Sequence, residues 1–225
     1  MKRQLLGVAA FMLALSAHAQ DNPLWMRYCA ISPDGTSIAF TYKGDIYRMG
    51  SMDIFVVDRE GGIPKRLTTH SGNETPVAFK DADHILFLAN VMPSAEDAQF
   101  PSGQFQQVYE VSTTGDRPVM FSSMPMEDIS INKTGNALLY HDKKGYEDPW
   151  RKHHTSSITR DIWLCSLDGK RSYRKLTSFN GEDRTPVWAS DGKSFYYLSE
   201  EKGSFNVFKR ALDGTSSTQL THHTK

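Results

Sequence analysis

The sequence predicts an all-β fold: a β-propeller of four-stranded antiparallel blades, about four of them, in an incomplete ring. Three observations predict it. A tight-turn motif recurs ahead of strand-like runs, a Leu-Thr pair recurs in step with it, and aromatic or β-branched runs between the two end at glycine-containing turns. A repeat of roughly 20–50 residues marks a stacked or radial architecture before any single element is assigned.

The turn motif is clearest in Ser32-Pro33-Asp34-Gly35, which leads into Thr36-Ser37-Ile38-Ala39-Phe40, and in Ala189-Ser190-Asp191-Gly192, which leads into Lys193-Ser194-Phe195-Tyr196-Tyr197. Proline presets φ for the first central turn position, and glycine accepts a positive φ at no steric cost. Lys80-Asp81-Ala82-Asp83 and Lys133-Thr134-Gly135-Asn136 hold the same place ahead of His84–Leu88 and Ala137–Tyr140, as eroded copies.

The second marker is Leu67-Thr68, Leu176-Thr177 and Leu220-Thr221, with Met120-Phe121-Ser122 in the remaining slot, at steps of 54, 55 and 44 residues. The third lies between the other two. Asp53–Asp58, Asp161–Cys165 and Asn206–Phe208 are strand-like, and each runs to a turn at Gly61-Gly62, Asp168-Gly169 or Asp213-Gly214; Thr114-Gly115 stands in the second copy. Such dipeptides favour tight hairpins, and the runs between them suit a pleated, half-buried surface.

One copy therefore reads as four strands in an antiparallel meander, the unit that stacks radially as a propeller blade. A β-sandwich would space its strands regularly but gives no reason for one ordered marker set to recur. The expected blades are residues 28–68, 76–122, 128–177 and 185–221, after a lead-in at 20–27. The abrupt end after Leu220-Thr221 reads as a fragment of a longer reading frame, or as an incomplete ring.

Residues 1–19 read as a cleaved secretory signal: Lys2 and Arg3, an apolar run from Leu5 to Leu15, then Ala17-His18-Ala19. That run is short of the roughly 20 residues that span a bilayer, so the mature chain is expected to be exported to the periplasm without membrane insertion. Composition excludes other classes. With 39% hydrophobic residues the chain is not mainly disordered, and 26 basic residues against 26 acidic ones leave no field to recruit nucleic acid. Cys29 and Cys165 sit in separate strand-like runs and are expected to stay unpaired, as small buried hydrophobes.

No nucleophile elbow, zinc-protease motif, Cys-x-x-Cys or Gly-x-Gly-x-x-Gly is present, so no catalytic residue, metal or cofactor is expected in these residues. His153-His154 does not change this, since neighbouring strand residues point to opposite faces. In a four-stranded meander the loop between strands two and three shares an end with the interblade loop. The long insertions, 90–106 and 143–160, fall there, and long loops on a rigid scaffold collect binding residues. The candidate peptide-binding residues are Phe100 and Phe105 in one loop and Tyr146, Trp150, His153 and His154 in the other. Phe105 and Trp150 packing back on their own loops is the alternative. Arg184, in an interblade segment, reads either as a bidentate partner for a peptide carboxylate or as half of an interblade ion pair.

These repeats resemble the propellers of TolB and of tricorn-type serine peptidases. The stretch Asn22-Pro23-Leu24-Trp25-Met26-Arg27-Tyr28, with Ile31–Gly35, Ile38-Ala39-Phe40, Tyr42–Tyr47 and Leu67–His70, is most similar to the start of an exported tricorn-like peptidase. The resemblance implies an amino-terminal module that binds or gates peptides, with the catalytic serine far downstream in other domains. Two further readings stay open: a TolB-like periplasmic scaffold for protein partners, and a degraded fragment with no role of its own. The expected partners are peptides or proteins.

Overall fold

The computed structural model describes residues 27–43, 52–70, 72–90, 105–145 and 157–224. They form sixteen strands and no helix. Blade 1 holds β1 (Arg27–Ile31), β2 (Ser37–Lys43), β3 (Met52–Asp58) and β4 (Lys65–Arg66). Blade 2 holds β5 (Glu74–Phe79), β6 (His84–Ala89), β7 (Gln107–Ser112) and β8 (Val119–Ser122). Blade 3 holds β9 (Met126–Ile131), β10 (Ala137–Asp142), β11 (Ile162–Ser166) and β12 (Tyr173–Lys175); blade 4 holds β13 (Asp183–Trp188), β14 (Ser194–Ser199), β15 (Asn206–Ala211) and β16 (Ser217–Gln219). Each blade is a four-stranded antiparallel sheet whose strands pair in chain order. The propeller of four-stranded blades expected from the repeat is the observed fold.

The first turn of each blade works as its residues suggest. Asp34 accepts the Ser32 hydroxyl at 2.6 Å and the Thr36 N–H at 3.0 Å, and Asp191 accepts the N–H groups of Lys193 and Ser194 at 2.8 and 2.9 Å. These bonds, first of all the Ser32 and Ser194 hydroxyls, hold both carboxyls at about 2. Gly35, Gly135 and Gly192 take φ of +72°, +71° and +63°. Blade 2 is the exception for a geometric reason. Its turn closes from Lys80 N–H to His84 C=O, one residue shorter than Ser32 to Ser37, so it has no glycine position to fill.

The Leu-Thr marker closes the outer edge of a blade. Leu67, Leu176 and Leu220 each donate a backbone N–H to the third strand at 2.8 Å, reaching the carbonyls of Ile54, Ile162 and Val207. The next residue's hydroxyl, on Thr68, Thr177 or Thr221, accepts the N–H of that same third-strand residue at 2.9 Å. A side-chain oxygen thus replaces the ladder carbonyl where the short outer strand stops. One step earlier, a basic residue meets an acid: Arg66 bonds Asp53 at 2.6 Å and Lys175 bonds Asp161 at 2.8 Å. In blade 4 the two positions are amides that both turn to Thr221: Gln219 donates to its carbonyl at 2.7 Å and Asn206 Oδ1 accepts its hydroxyl at 3.0 Å.

Three apolar seams join the blades. Ala39, Ile54 and Leu67 of blade 1 pack on Phe79, Ile85 and Phe87 of blade 2. Leu86, Val108 and Phe121 meet Met126, Leu138 and Tyr140 across the second seam, and Leu139, Ile162 and Leu176 meet Phe195, Tyr197 and Phe208 across the third. Each fully buried side chain of this size contributes roughly 1.5–3 kcal/mol. The inner strands follow one another around an axis, β1 on β5, β5 on β9 and β9 on β13. Among the described residues, β13 and β1 share no comparable contact, so the arc is open on that side.

Both thiols are free. Cys165 is buried in the second seam, as expected, but Cys29 is exposed. The reason is its place on β1, an end-blade inner strand that borders the axial space.

Candidate functional site

Among the described residues, the only two prolines within strands lie on inner strands, Pro76 in β5 and Pro186 in β13. An inner strand is a sheet edge, so a missing N–H costs no ladder bond there. Between these edges lie two axial cavities of about 710 and about 630 Å³. The larger is lined from all four blades, including Tyr28, Pro76, Asp128, Arg160, Arg184 and Thr185. The smaller lies at the Pro-Asp-Gly turn end, between β1, β5 and β9.

The wall at blades 3 and 4 is a polar network. His141 Nδ1 accepts the Thr185 backbone N–H at 3.2 Å, which leaves Nε2 to donate to Glu127 at 3.2 Å. Glu127 also takes Lys143 at 2.8 Å and faces Arg160 at 3.6 Å, while Arg160 pairs with Glu182. Burial alone would raise the Glu127 carboxyl, but hydrogen bonds from His141 and Lys143, and the Lys143 charge, overrule it and hold it at about 2. Trp188 on β13 donates its indole N–H to the Ser130 carbonyl on β9 at 2.9 Å, fastening the two inner strands.

Arg184 stands apart from this network. Its guanidinium stacks on Phe205 at 4.1 Å and has no carboxylate partner among the described residues. The interblade ion pair that its position suggested is therefore absent from the described residues, and Arg184 lines the larger cavity.

The other sequence-expected positions divide into two groups. Phe100, Tyr146, Trp150, His153 and His154 lie outside the described residues. Phe105, expected on an exposed loop, is instead buried at 9% relative exposure. It sits just ahead of β7, where its own carbonyl accepts the Gln107 side-chain amide at 3.1 Å, so the chain has already turned into the blade at that point. Apart from Arg184, the axial wall was missed. Thr75-Pro76-Val77 recurs in it as Thr185-Pro186-Val187, but only the convergence of four strands from distant parts of the chain brings its residues together. Among the described residues no group of three or more His, Cys, Asp and Glu side chains could hold a metal ion, and no helix is long and apolar enough to cross a membrane.

Comparison with known proteins follows the same outline. Residues 20–225 match the model of the tricorn protease N-terminal beta propeller domain. Tricorn protease homolog 1 of Streptomyces coelicolor is 25% identical over 194 residues, which are 86% of this chain but 17% of the relative. Thus the chain spans about a sixth of that protein's length. The crystal structure of the tricorn protease superposes with a TM-score of 0.65 at 19% identity, covering 88% of this chain and 19% of that one. TolB from Acinetobacter baumannii superposes with a TM-score of 0.59 at 16% identity, covering 86% of this chain and 42% of TolB. At these identities the two structures share the fold.

Proposed function

Because this chain belongs to the tricorn protease N-terminal β-propeller family, we propose that it is a non-catalytic segment that binds or gates peptides. The parent protein is an exported tricorn-like serine peptidase, whose other parts carry out proteolysis. One observation carries the reading: a cavity lined by all four inner strands, with the guanidinium of Arg184, which has no carboxylate partner among the described residues, stacked on Phe205 at its wall. A guanidinium held flat on a ring keeps its N–H fork free for a carboxylate of a bound peptide. The loop residues Phe100, Tyr146, Trp150, His153 and His154 belong to the same reading as further peptide contacts, whereas the buried Phe105 does not.

The test is fluorescence anisotropy of the 225-residue chain with a labelled, unstructured 12-residue peptide. Saturable binding is expected, weakened about tenfold by Arg184→Ala through loss of a charge-assisted hydrogen bond, with no cleavage seen by mass spectrometry. Absence of saturable binding overturns the peptide-handling reading, and hydrolysis overturns the non-catalytic one. The likeness to TolB favours a second reading, a periplasmic scaffold for folded protein partners. It predicts stoichiometric partners from envelope extract and no affinity for the isolated peptide.

A further inference from the structure

One position departs from the ladder in every inner strand. In β1 the register slips between Arg27 and Ala30, in β5 between Pro76 and Ala78, in β9 across Ile129 and Asp128, and in β13 between Arg184 and Val187. Counted from the paired residues, Tyr28, Pro76, Asp128 and Thr185 hold the same station and all four line the larger cavity, although Pro76 still pairs with Phe87 and the slip in β5 falls on Val77. Tyr28, Asp128 and Thr185 have φ of +55°, +49° and +55°, while the fourth is a proline, whose ring forbids a positive φ.

A left-handed backbone is tolerable for Asp but costly for Tyr and for β-branched Thr. Where this chain needs only the backbone shape it uses glycine, as at Gly35, Gly135 and Gly192. Along the axis it keeps side chains, and it secures them. The Thr185 hydroxyl donates to Asp128 Oδ2 at 2.7 Å, and the Thr185 N–H is held by His141. Bulges re-aim side chains, and strain that is held in place gathers at ligand-contacting positions.

We propose that the residues at these four stations form a recognition ring for an extended peptide that carries a basic side chain. The inference rests on the peptide-handling reading above and specifies its contacts. Tyr28, 53% exposed, offers its ring to an apolar side chain of the peptide. Asp128 is half exposed, and its Oδ1 accepts no hydrogen bond among the described residues, which leaves that oxygen for a lysine or arginine of the peptide.

Two labelled 12-residue Gly/Ser peptides, one with a central Leu-Lys and one with a central Leu-Glu, test this by anisotropy against the 225-residue chain. The Leu-Lys peptide is expected to bind more tightly. Asp128→Asn, which keeps both the left-handed preference and the bond from Thr185, is expected to weaken that peptide about tenfold and to leave the Leu-Glu peptide unchanged. Tyr28→Ala is expected to weaken both. Thermal melts verify the fold, and Thr185→Gly is expected to stay folded while binding more weakly, a result that a purely structural bulge would not give. If the wild-type chain binds and these variants bind equally well, the ring is overturned and the peptide-handling reading stands. If the wild-type chain binds neither peptide, both fall.

Discussion

The imidazole of His141, on the second strand of blade 3, accepts the backbone N–H of Thr185 on the inner strand of blade 4 at 3.2 Å. One buried side chain thus joins two blades and fixes the backbone of the residue whose φ is +55°. Replacing it with Ala leaves the Thr185 N–H and one Glu127 oxygen without this partner and opens a void. His141→Ala is expected to destabilise the chain by about 2–4 kcal/mol. Urea unfolding measures this, and a loss below about 0.5 kcal/mol would show that the contact holds nothing together.

The threonine hydroxyl at the end of a blade predicts a different pattern. Thr177→Val conserves shape but strips the acceptor from the buried Ile162 N–H. A loss of about 1–3 kcal/mol is expected. Thr177→Ser, which keeps the oxygen, should recover most of it, and equal losses in the two variants would mean that the methyl group matters more than the hydroxyl.

Glu74 and Asp183 open the inner strands of blades 2 and 4, and both are almost fully buried. Burial raises Glu74 from 4.5 to about 7, against the Thr68 hydroxyl and with a further push from Asp53. Burial likewise raises Asp183 from 3.8 to about 6, against the hydroxyls of Ser199 and Thr177, with Asp161 and Glu201 adding. Glu74 also keeps Oε2 without a hydrogen-bond partner among the described residues, as suits a carboxyl that retains its proton. Both groups hold more protons folded than unfolded. Their stabilisation is complete below about pH 4 and is lost as the pH rises through about 6 and 7, by at most roughly 3 kcal/mol at each site. Glu127 acts oppositely: held at about 2, it contributes above its ordinary 4.5 and is lost only in strong acid. Melting temperature should therefore fall from pH 5 to pH 8. The fall should flatten in a Glu74→Gln, Asp183→Asn double variant, and an undiminished slope there would assign it to other groups.

Glycine substitutions should rank by what surrounds them. A Cβ at Gly192 would meet nothing within 4 Å, whereas one at Gly135 would come within 3.1 Å of the Lys80 carbonyl in the neighbouring blade. Both are left-handed, so each Ala variant bears about 1–2 kcal/mol of backbone strain. Gly135→Ala should be the worse of the two in a side-by-side thermal melt, and the reverse order would show that the Lys80 turn yields freely.

The turns and their strands were legible because the chemistry is local. Asp34 with Gly35 and Asp191 with Gly192 build their turns from atoms within a few residues of one another. The Leu-Thr marker was legible as punctuation, but its mechanism was not, since the bond from the Ile54 N–H to Thr68 spans 14 residues. The axial ring was invisible. Tyr28, Pro76, Asp128 and Thr185 have no residue type in common, and what they share is a register slip that exists only once strands pair. Phe105 misled for a related reason: an aromatic between polar residues reads as a loop contact until the strand that begins at Gln107 draws it inward.

Leu67 and Leu176 are each 5% exposed because the next blade covers them, whereas Leu220, at the same station in blade 4, is 47% exposed. The hydrogen bonds that Leu220 and Thr221 make with Val207 are already in place, so the joint is complete on its own side and lacks only an opposing surface. Every connection that a blade needs is either internal or to its immediate neighbour, as in other quasi-linear repeats. Duplication of one such unit of about fifty residues would thus lengthen the wheel without rewiring a bond elsewhere, which makes ring size an evolutionary variable of this architecture.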